Sequence, residues 1–489
     1  MSQKISLSFL FLFLSLFNSS FLSAQKQNYS IEINQKIKSV ENNLSANTKI
    51  EGEPNWNLID RMKFYNAPGV SIAVIKDFKI EWVKGYGWAD KDEQRPVTPS
   101  TLFQAGSISK SLNAIGLLKL SQEGKINLNN DINDYLISWK FPYDSLSHGK
   151  KITIANLLSH TAGLTVHGFS GYEKGTSIPT LPQILDGKQP ANSPSVRSAF
   201  EPSLKYEYSG GGTTISQLIL QDVTSKPYDA FMWENVLKPM GMNNSFYTQP
   251  PSKDKQKELA TGYYNGQEVK GKYHIYPEQA AAGLWTTPTD LAKYIIETQL
   301  SLLGKSSKVL SQQTTTQRLT PYIDGSAAFG VFIENRGTKK YFTHQGVDEG
   351  FVSQYYGSLQ DGNGVVVMTN TNNTAILNEI INSVATVYNW KDFYNPTIKK
   401  TIALNDTVLE SYVGEYQLTP SIIISITKEA HQLKLSSGPI AADIYPESNT
   451  KFFLVSRDGQ MEFIKNDKDV VTKLIVYQNG QNMDAVKIK

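Results

Sequence analysis

An α+β fold is predicted for this chain, because β-branched runs open and close its larger part while helical patterns fill the middle. A third observation sets off the C-terminal end, where short stretches alternate apolar and polar residues between turns. Gly69–Ile75 and Ile80–Val83 are expected as two strands joined by a Lys76-Asp77 turn. From Ser109 to Glu123, Leu112, Ile115 and Leu118 recur at helical spacing, and Gly124 supplies a stop, so a helix is expected there. Between Ile126 and Tyr276 a largely helical insert is expected, including Ile154–His160 and Thr214–Val223. Strand character returns at Phe329–Ile333, Tyr341–Thr343, Phe351–Tyr356 and Gly364–Met368, followed by a helix over Ala375–Tyr388. Distant parts of the chain must therefore share one sheet.

The expected boundaries are residues 1–24, 25–395, 396–408 and 409–489: a signal peptide, a main domain, a linker and a small β domain. The first is inferred from Lys4, the apolar run Ile5–Phe17 and Ser23-Ala24 as a cleavage site. The run is short and broken by serines, so removal after export to the periplasm or exterior is expected rather than a lasting membrane span. The small β domain is read from Ile422–Ile426, Leu433–Leu435, Phe452–Val455 and Leu474–Tyr477.

Composition narrows the function. With 40% hydrophobic and 19% charged residues over 489 positions, the chain has the means to bury a sizeable core. Its 48 basic side chains against 45 acidic ones, a net charge of +3, give no footprint for nucleic acid. The absence of cysteine excludes disulfides and thiol nucleophiles. Six histidines stand without an HxH or HExxH pattern, so neither metal nor cofactor is implied. A Gly-x-Ser-x-Gly elbow is missing, against an α/β-hydrolase.

Three short patterns carry candidate chemistry. Ser107-Ile108-Ser109-Lys110 places a hydroxyl and an amine three residues apart at a helix entrance, on one side of the helix. The positive helix terminus disfavours a second positive charge there, which favours a lysine able to accept a proton, and free N–H groups of the first turn suit an oxyanion. The same spacing recurs at Ser147/Lys150, Ser252/Lys255, Ser425/Lys428 and Ser448/Lys451, where no helix entrance is expected. Tyr206-Glu-Tyr-Ser-Gly-Gly-Gly212 puts Tyr208 between a loop and a helix, a candidate phenolate base or else a buried, hydrogen-bonded aromatic. Thr343-His344-Gln345-Gly346 after a strand offers a glycine past which a substrate backbone has room to lie.

In this order, Ser107-x-x-Lys110, Tyr208-Ser209-x and His344-x-Gly346 resemble the three motifs of class C β-lactamases and related penicillin-binding D,D-peptidases and esterases. Gly87-Trp-Ala-Asp90, Thr101–Gly106, Ile152–Leu164 and Ala282–Ala292 extend the resemblance, which covers residues 55 to 390. It implies a β-lactamase/transpeptidase-like fold, an antiparallel sheet flanked by helices plus an all-helical region, with the active site in the groove between them. It also implies that Ser107 is acylated, that Lys110 and Tyr208 shuttle its proton, and that the N–H groups of Ser107 and Val347 form the oxyanion hole. The substrate is then a small molecule or peptide, and the C-terminal part resembles lipocalin-like barrels appended to this family, either stabilising the fold or covering the groove.

The chain departs from the family pattern at two points. Gly210 stands where β-lactam-handling relatives have Asn, losing an amide that orients Lys110, and His344 stands where β-lactamases have Lys. Both favour an esterase or peptidase over a β-lactamase; a silent member that binds cell-wall peptide or a protein partner is the alternative from another class. His160 is expected to serve loop packing, Trp285 to line the groove, and Asp348-Glu349 to form a solvated turn or to favour a cationic substrate.

Overall fold

The computed structural model describes residues 29–438, 440–455, 459–478 and 480–489. The expected signal peptide, 1–24, lies outside the described residues.

Five helices frame the main domain: α1 (Ile31–Glu41), α2 (Ser109–Gln122), α3 (Gly210–Thr224), α4 (Pro288–Leu302) and α5 (Ala375–Val387). Its sheet has seven strands: β1 (Gly69–Lys76), β2 (Lys79–Asp90), β3 (Arg95–Pro96), β4 (Phe332–Arg336), β5 (Lys339–Asp348), β6 (Phe351–Ser358) and β7 (Gly364–Thr369). Their order is β3-β2-β1-β7-β6-β5-β4. Every pairing is antiparallel, and Val70 of β1 opposite Thr369 of β7 joins the two ends of the domain.

Both faces of the sheet are covered, which is why β1, β6 and β7 are buried along their length. The period of two then sorts residues cleanly. Ala73, Ile75, Val366 and Met368 enter the core shared with α2 and α4, whereas Ile72, Val74, Val365 and Val367 enter a second core shared with α1 and α5.

Three expected strands differ, and the one expected at Ile80–Val83 runs from Lys79 to Asp90. The strand expected at Phe329–Ile333 starts at Phe332, because Ala328 N–H turns back to Val331 O and Gly330 N–H bonds Leu158 O. The strand expected to end at Thr343 runs on to Asp348, so His344 and Gly346 lie within β5 rather than after it. The insert is looser than expected. Between α2 and α4, α3 is the one long helix, and short turns of helix such as Ile154–Leu158 and Leu181–Asp186 are joined by extended loops.

The stretch expected as a linker carries structure. Thr397–Lys399 pairs in parallel with Thr48–Ile50, and Asp406–Tyr412 is helical. Beyond it, eight strands close into an antiparallel barrel: β8 (Gly414–Thr419), β9 (Ile422–Glu429), β10 (Gln432–Ser437), β11 (Ile440–Pro446), β12 (Lys451–Leu454), β13 (Gln460–Lys465), β14 (Val471–Gln478) and β15 (Gln481–Lys487). Closure is made by Tyr416 opposite Lys487. Tyr412 from the preceding helix enters the barrel core and stacks on Phe463 at 4.3 Å. A barrel of this size has an interior that side chains alone can fill. The barrel meets the main domain where Phe453 and Val455 pack on Ala46, with Ile50 and Trp56 alongside. That contact lies beside α5, whose Asn382 amide donates to Ser45 O. No helix among the described residues is long and apolar enough to cross a membrane.

Behind the sheet, Arg61 and Glu379 form a buried two-point ion pair at 2.7 and 2.6 Å, joined by Tyr65 Oη on the same carboxylate at 2.6 Å. The Trp56 ring lies 3.9 Å from the guanidinium. Removing one partner strands the other charge in the interior, so Glu379→Ala is expected to cost about 3–5 kcal/mol of stability. Denaturant unfolding measures this, and a midpoint equal to wild type would contradict it.

Candidate active site

Ser107 sits on a short 3-10 turn, Gly106–Ile108, that runs directly into α2. The junction is stitched by Ser109, whose Oγ donates to Gly106 O at 2.6 Å and accepts from Leu284 N–H at 3.0 Å. One turn of helix brings Lys110 Nζ to 3.0 Å from Ser107 Oγ, and Nζ also donates to Ala281 O at 2.8 Å. Lys110 is buried and in contact with Ser107. None of the other four Ser-x-x-Lys pairs forms such a bond: Lys150 pairs with Glu201, Lys255 with Glu258 and Lys428 with Asp406 and Glu410, while Ser448 Oγ accepts the N–H of Lys451.

Tyr208 precedes α3, whose N-cap Ser209 accepts from Gly212 N–H at 2.9 Å. Its ring centroid is 5.0 Å from Lys110 Nζ and 4.3 Å from the His160 ring. His160 Nδ1 accepts from Ser209 N–H at 3.2 Å, so this residue both packs its loop, as expected, and fixes the backbone and ring of Tyr208. His167 holds the other side through Tyr208 O at 2.5 Å.

The wall opposite is β5. It is backed by β6 throughout, but β4 reaches only as far as Thr343, so residues 344–348 present an open strand edge. This edge passes the Gly106–Ile108 turn at backbone distance. A Cβ on Gly346 would fall 1.8 Å from Ala105 O, and one on Gly106, whose φ is +52°, would fall 2.5 Å from Val347 N. Only glycine fits at either position, and that places the Val347 main chain beside Ser107. Ser107, Tyr208, Phe332, Thr343, His344 and Val347 line an open groove of about 440 Å³.

Gly210 is in the same neighbourhood but does not face the lysine. A Cβ there would meet His167 O and the Phe169 ring at 3.1 Å, so an asparagine needs the 167–169 loop to move. The bond that orients Lys110 comes from the Ala281 carbonyl, a partner that no side-chain pattern reveals. Trp285 is not a groove wall as expected: it is fully buried and packs on Phe246, Tyr273 and Phe351. Asp348 is not in a solvated turn either. It follows Gly346 on the inward face of β5 and is 5% exposed, while the neighbouring Val347 side chain points outward at 53%.

The electrostatics are set by burial. Desolvation, helped by the nearby Lys110 charge, holds His344 down at about 3 and His160 well below the usual imidazole range. Both rings are therefore neutral at physiological pH. His344 Nδ1 faces Gln345 O at 2.6 Å, and its Nε2 has no partner.

Two outcomes follow from this geometry. Gly346→Ala is expected to abolish labelling of Ser107 by a fluorophosphonate, while Gly168→Ala, with open space around it, leaves labelling intact; equal labelling would refute the close approach. His344 takes no proton between its unfolded value of about 6.5 and about 3, whereas the unfolded chain does. Its contribution to stability is complete above about pH 6.5 and is lost as pH falls toward 3. His344→Gln should flatten that acid limb in a series of denaturant midpoints, and an unchanged slope would contradict a neutral His344.

Comparison with known proteins places this arrangement. The family model described as Beta-lactamase matches residues 57–382. Protein flp of Staphylococcus aureus (strain N315) is 26% identical over 376 residues, 71% of this chain and 70% of that protein. Penicillin-binding protein 4* of Bacillus subtilis (strain 168) is 23% identical over 428 residues, 83% of this chain and 91% of that protein. The octameric penicillin-binding protein homologue from Pyrococcus abyssi superposes with a TM-score of 0.59 at 20% identity, over 88% of this chain and 98% of that one. D-amino acid amidase from Ochrobactrum anthropi SV3 gives 0.57 at 20% identity, over 73% and 98%. The two superpositions concern the fold; the match over residues 57–382 goes further, and with it the chain belongs to the Beta-lactamase family.

Proposed function

We propose that this chain is an exported serine hydrolase that cleaves an ester or amide through an acyl-enzyme on Ser107. The observation that carries the proposal is the 3.0 Å contact between Lys110 Nζ and Ser107 Oγ in a groove that also contains Tyr208. Ser107 Oγ attacks the substrate carbonyl, and its proton passes to the Lys110 and Tyr208 pair. The oxyanion is held by the N–H groups of Ser107 and Val347. Collapse expels an alcohol or amine that takes the proton back, and water repeats the sequence on the acyl-enzyme to release the acid.

The two departures from the family pattern guide the choice of substrate. A neutral His344 offers no fixed charge to a substrate carboxylate, and Gly210 offers no side-chain amide. Both favour an uncharged acyl ester, a D-amino-acid peptide or a cell-wall fragment over a β-lactam. The D-amino acid amidase and penicillin-binding proteins among the similar chains fit that range. Export rests on the apolar run Ile5–Phe17 and the Ser23-Ala24 site in the sequence. The barrel, attached beside α5, serves in this view to stabilise the main domain rather than to gate the groove.

Hydrolysis of a short-chain nitrophenyl ester by residues 25–489, beside Ser107→Ala, is the deciding test. Turnover is expected in the wild type and a loss of at least about 10³-fold in the variant. Equal rates, or none in either, would remove the nucleophile assignment and favour a binding protein; rapid turnover of a cephalosporin would favour a β-lactamase.

A further inference from the structure

Five rings form one continuous circuit at the groove. The Tyr208 ring stands 4.3 Å from His160 and 6.4 Å from His344, measured between centroids. His344 meets Phe332 of β4 at 5.3 Å, Phe332 meets Tyr206 edge to face at 6.1 Å, and Tyr206 returns to His160 at 6.2 Å. The two imidazoles are buried, whereas Tyr206, Tyr208 and Phe332 are half-buried. Both imidazoles are neutral, and burial pushes the Tyr206 hydroxyl up to about 12. Backbone bonds hold the circuit in place. Phe332 pairs with Thr343 and bridges to Ala327, while His160 accepts the Glu207 N–H on its carbonyl at 2.8 Å and the Ser209 N–H on Nδ1 at 3.2 Å. The circuit begins beside the Ser107 hydroxyl: Lys110 Nζ is 3.0 Å from Ser107 Oγ and 5.0 Å from the Tyr208 centroid.

We propose that this circuit, through its half-buried members Phe332 and Tyr206, is a specificity subsite that selects a substrate carrying an uncharged aromatic ring next to the scissile ester or amide. The proposal rests on the serine-hydrolase reading and narrows its substrate. A ring laid against Phe332 and Tyr206 leaves water and adds an edge or face contact of the kind these rings already make with one another. Because the rings are held in advance, little side-chain freedom is lost when a ligand covers them. A carboxylate has no such reception. Among the described residues that line the groove, Glu334 alone carries a formal charge, and it is negative. Its own carboxylate is engaged by Arg336 Nη2 at 2.9 Å and Tyr356 Oη at 3.2 Å.

Acid release in a pH-stat reads the preference in the full chain, with each kcat/KM divided by the rate at which hydroxide hydrolyses the same ester. The esters are ethyl hexanoate, monoethyl adipate, ethyl phenylacetate and benzyl acetate, the last two carrying the ring on the acyl and the alcohol side. At least one ring-bearing ester is expected to exceed ethyl hexanoate by on the order of tenfold, with monoethyl adipate below both. Phe332→Ala and Tyr206→Leu should each lower the ratio of that ring-bearing ester to ethyl hexanoate several-fold, which a general loss of activity does not do. A fall in either variant supports the subsite, so one folded variant suffices. Ethyl hexanoate equal to or better than both ring-bearing esters, or a ratio unchanged by the substitutions, would overturn it. Fluorine NMR of para-fluorophenylacetamide with Ser107→Ala gives a readout without turnover. Line broadening that is lost when Phe332→Ala is added supports the proposal even if no ester is hydrolysed, an outcome that would count against the hydrolase reading alone. Esters hydrolysed without preference, together with no broadening, would overturn the proposal and leave the hydrolase reading standing.

Discussion

The backbone contact between β5 and the turn that carries Ser107 governs the rest of the site. Gly346 lies against Ala105 O, and Gly106 against the Val347 main chain, at distances that leave no room for a Cβ on either side. Three consequences come from this one crossing. Ser107 is brought to a strand edge that β4 leaves open past Thr343. The period of two along β5 places His344, Gly346 and Asp348 on the inward face and sends Val347 outward. Asp348 is thereby buried at the end of β5.

The sheet supplies the rigidity that such a crossing needs. β5 is held by eight residue pairs to β6, and β6 by β7, which pairs with β1 from the other end of the domain. The two covered faces turn this sheet into the common wall of two cores, one with α2 and α4 and one with α1 and α5. The helix that carries Lys110 shares the first of these cores with the sheet, and its Ser111 bonds Tyr355 of β6, the strand beside the one that carries His344. The barrel adds to the second core's side through Phe453 and Val455, where the N-terminal segment and α5 are already joined.

What the sequence made legible follows the range of each interaction. The Ser107 and Lys110 pair is local, three residues on one helix, and its geometry follows from helical spacing alone. The central strands β1, β6 and β7 and helix α5 carry enough β-branched or helical periodicity to be placed within two residues, and the β tail is recognisable from its alternation. The misplaced features all depend on contacts between distant positions. Ala281 orients Lys110 through a carbonyl, which every residue type has, 171 positions away. Asp348 beside Glu349 has the composition of an exposed turn, and only the close approach at Gly346 shows that it is buried. Trp285 was expected at the groove because its stretch resembles the family, yet it fills the core between Phe246 and Phe351.

The charge pattern of the groove is the last step. The two imidazoles nearest Tyr208 are neutral because burial and Lys110 both oppose a second positive charge. Burial likewise pushes the Asp348 and Glu278 carboxyls above the usual carboxylate range. Among the described residues Lys110 forms no ion pair, and its Nζ bonds Ser107 Oγ and Ala281 O. Lys110 Nζ is surrounded by dipoles: Ala281 O, Ser107 Oγ and the face of Tyr208.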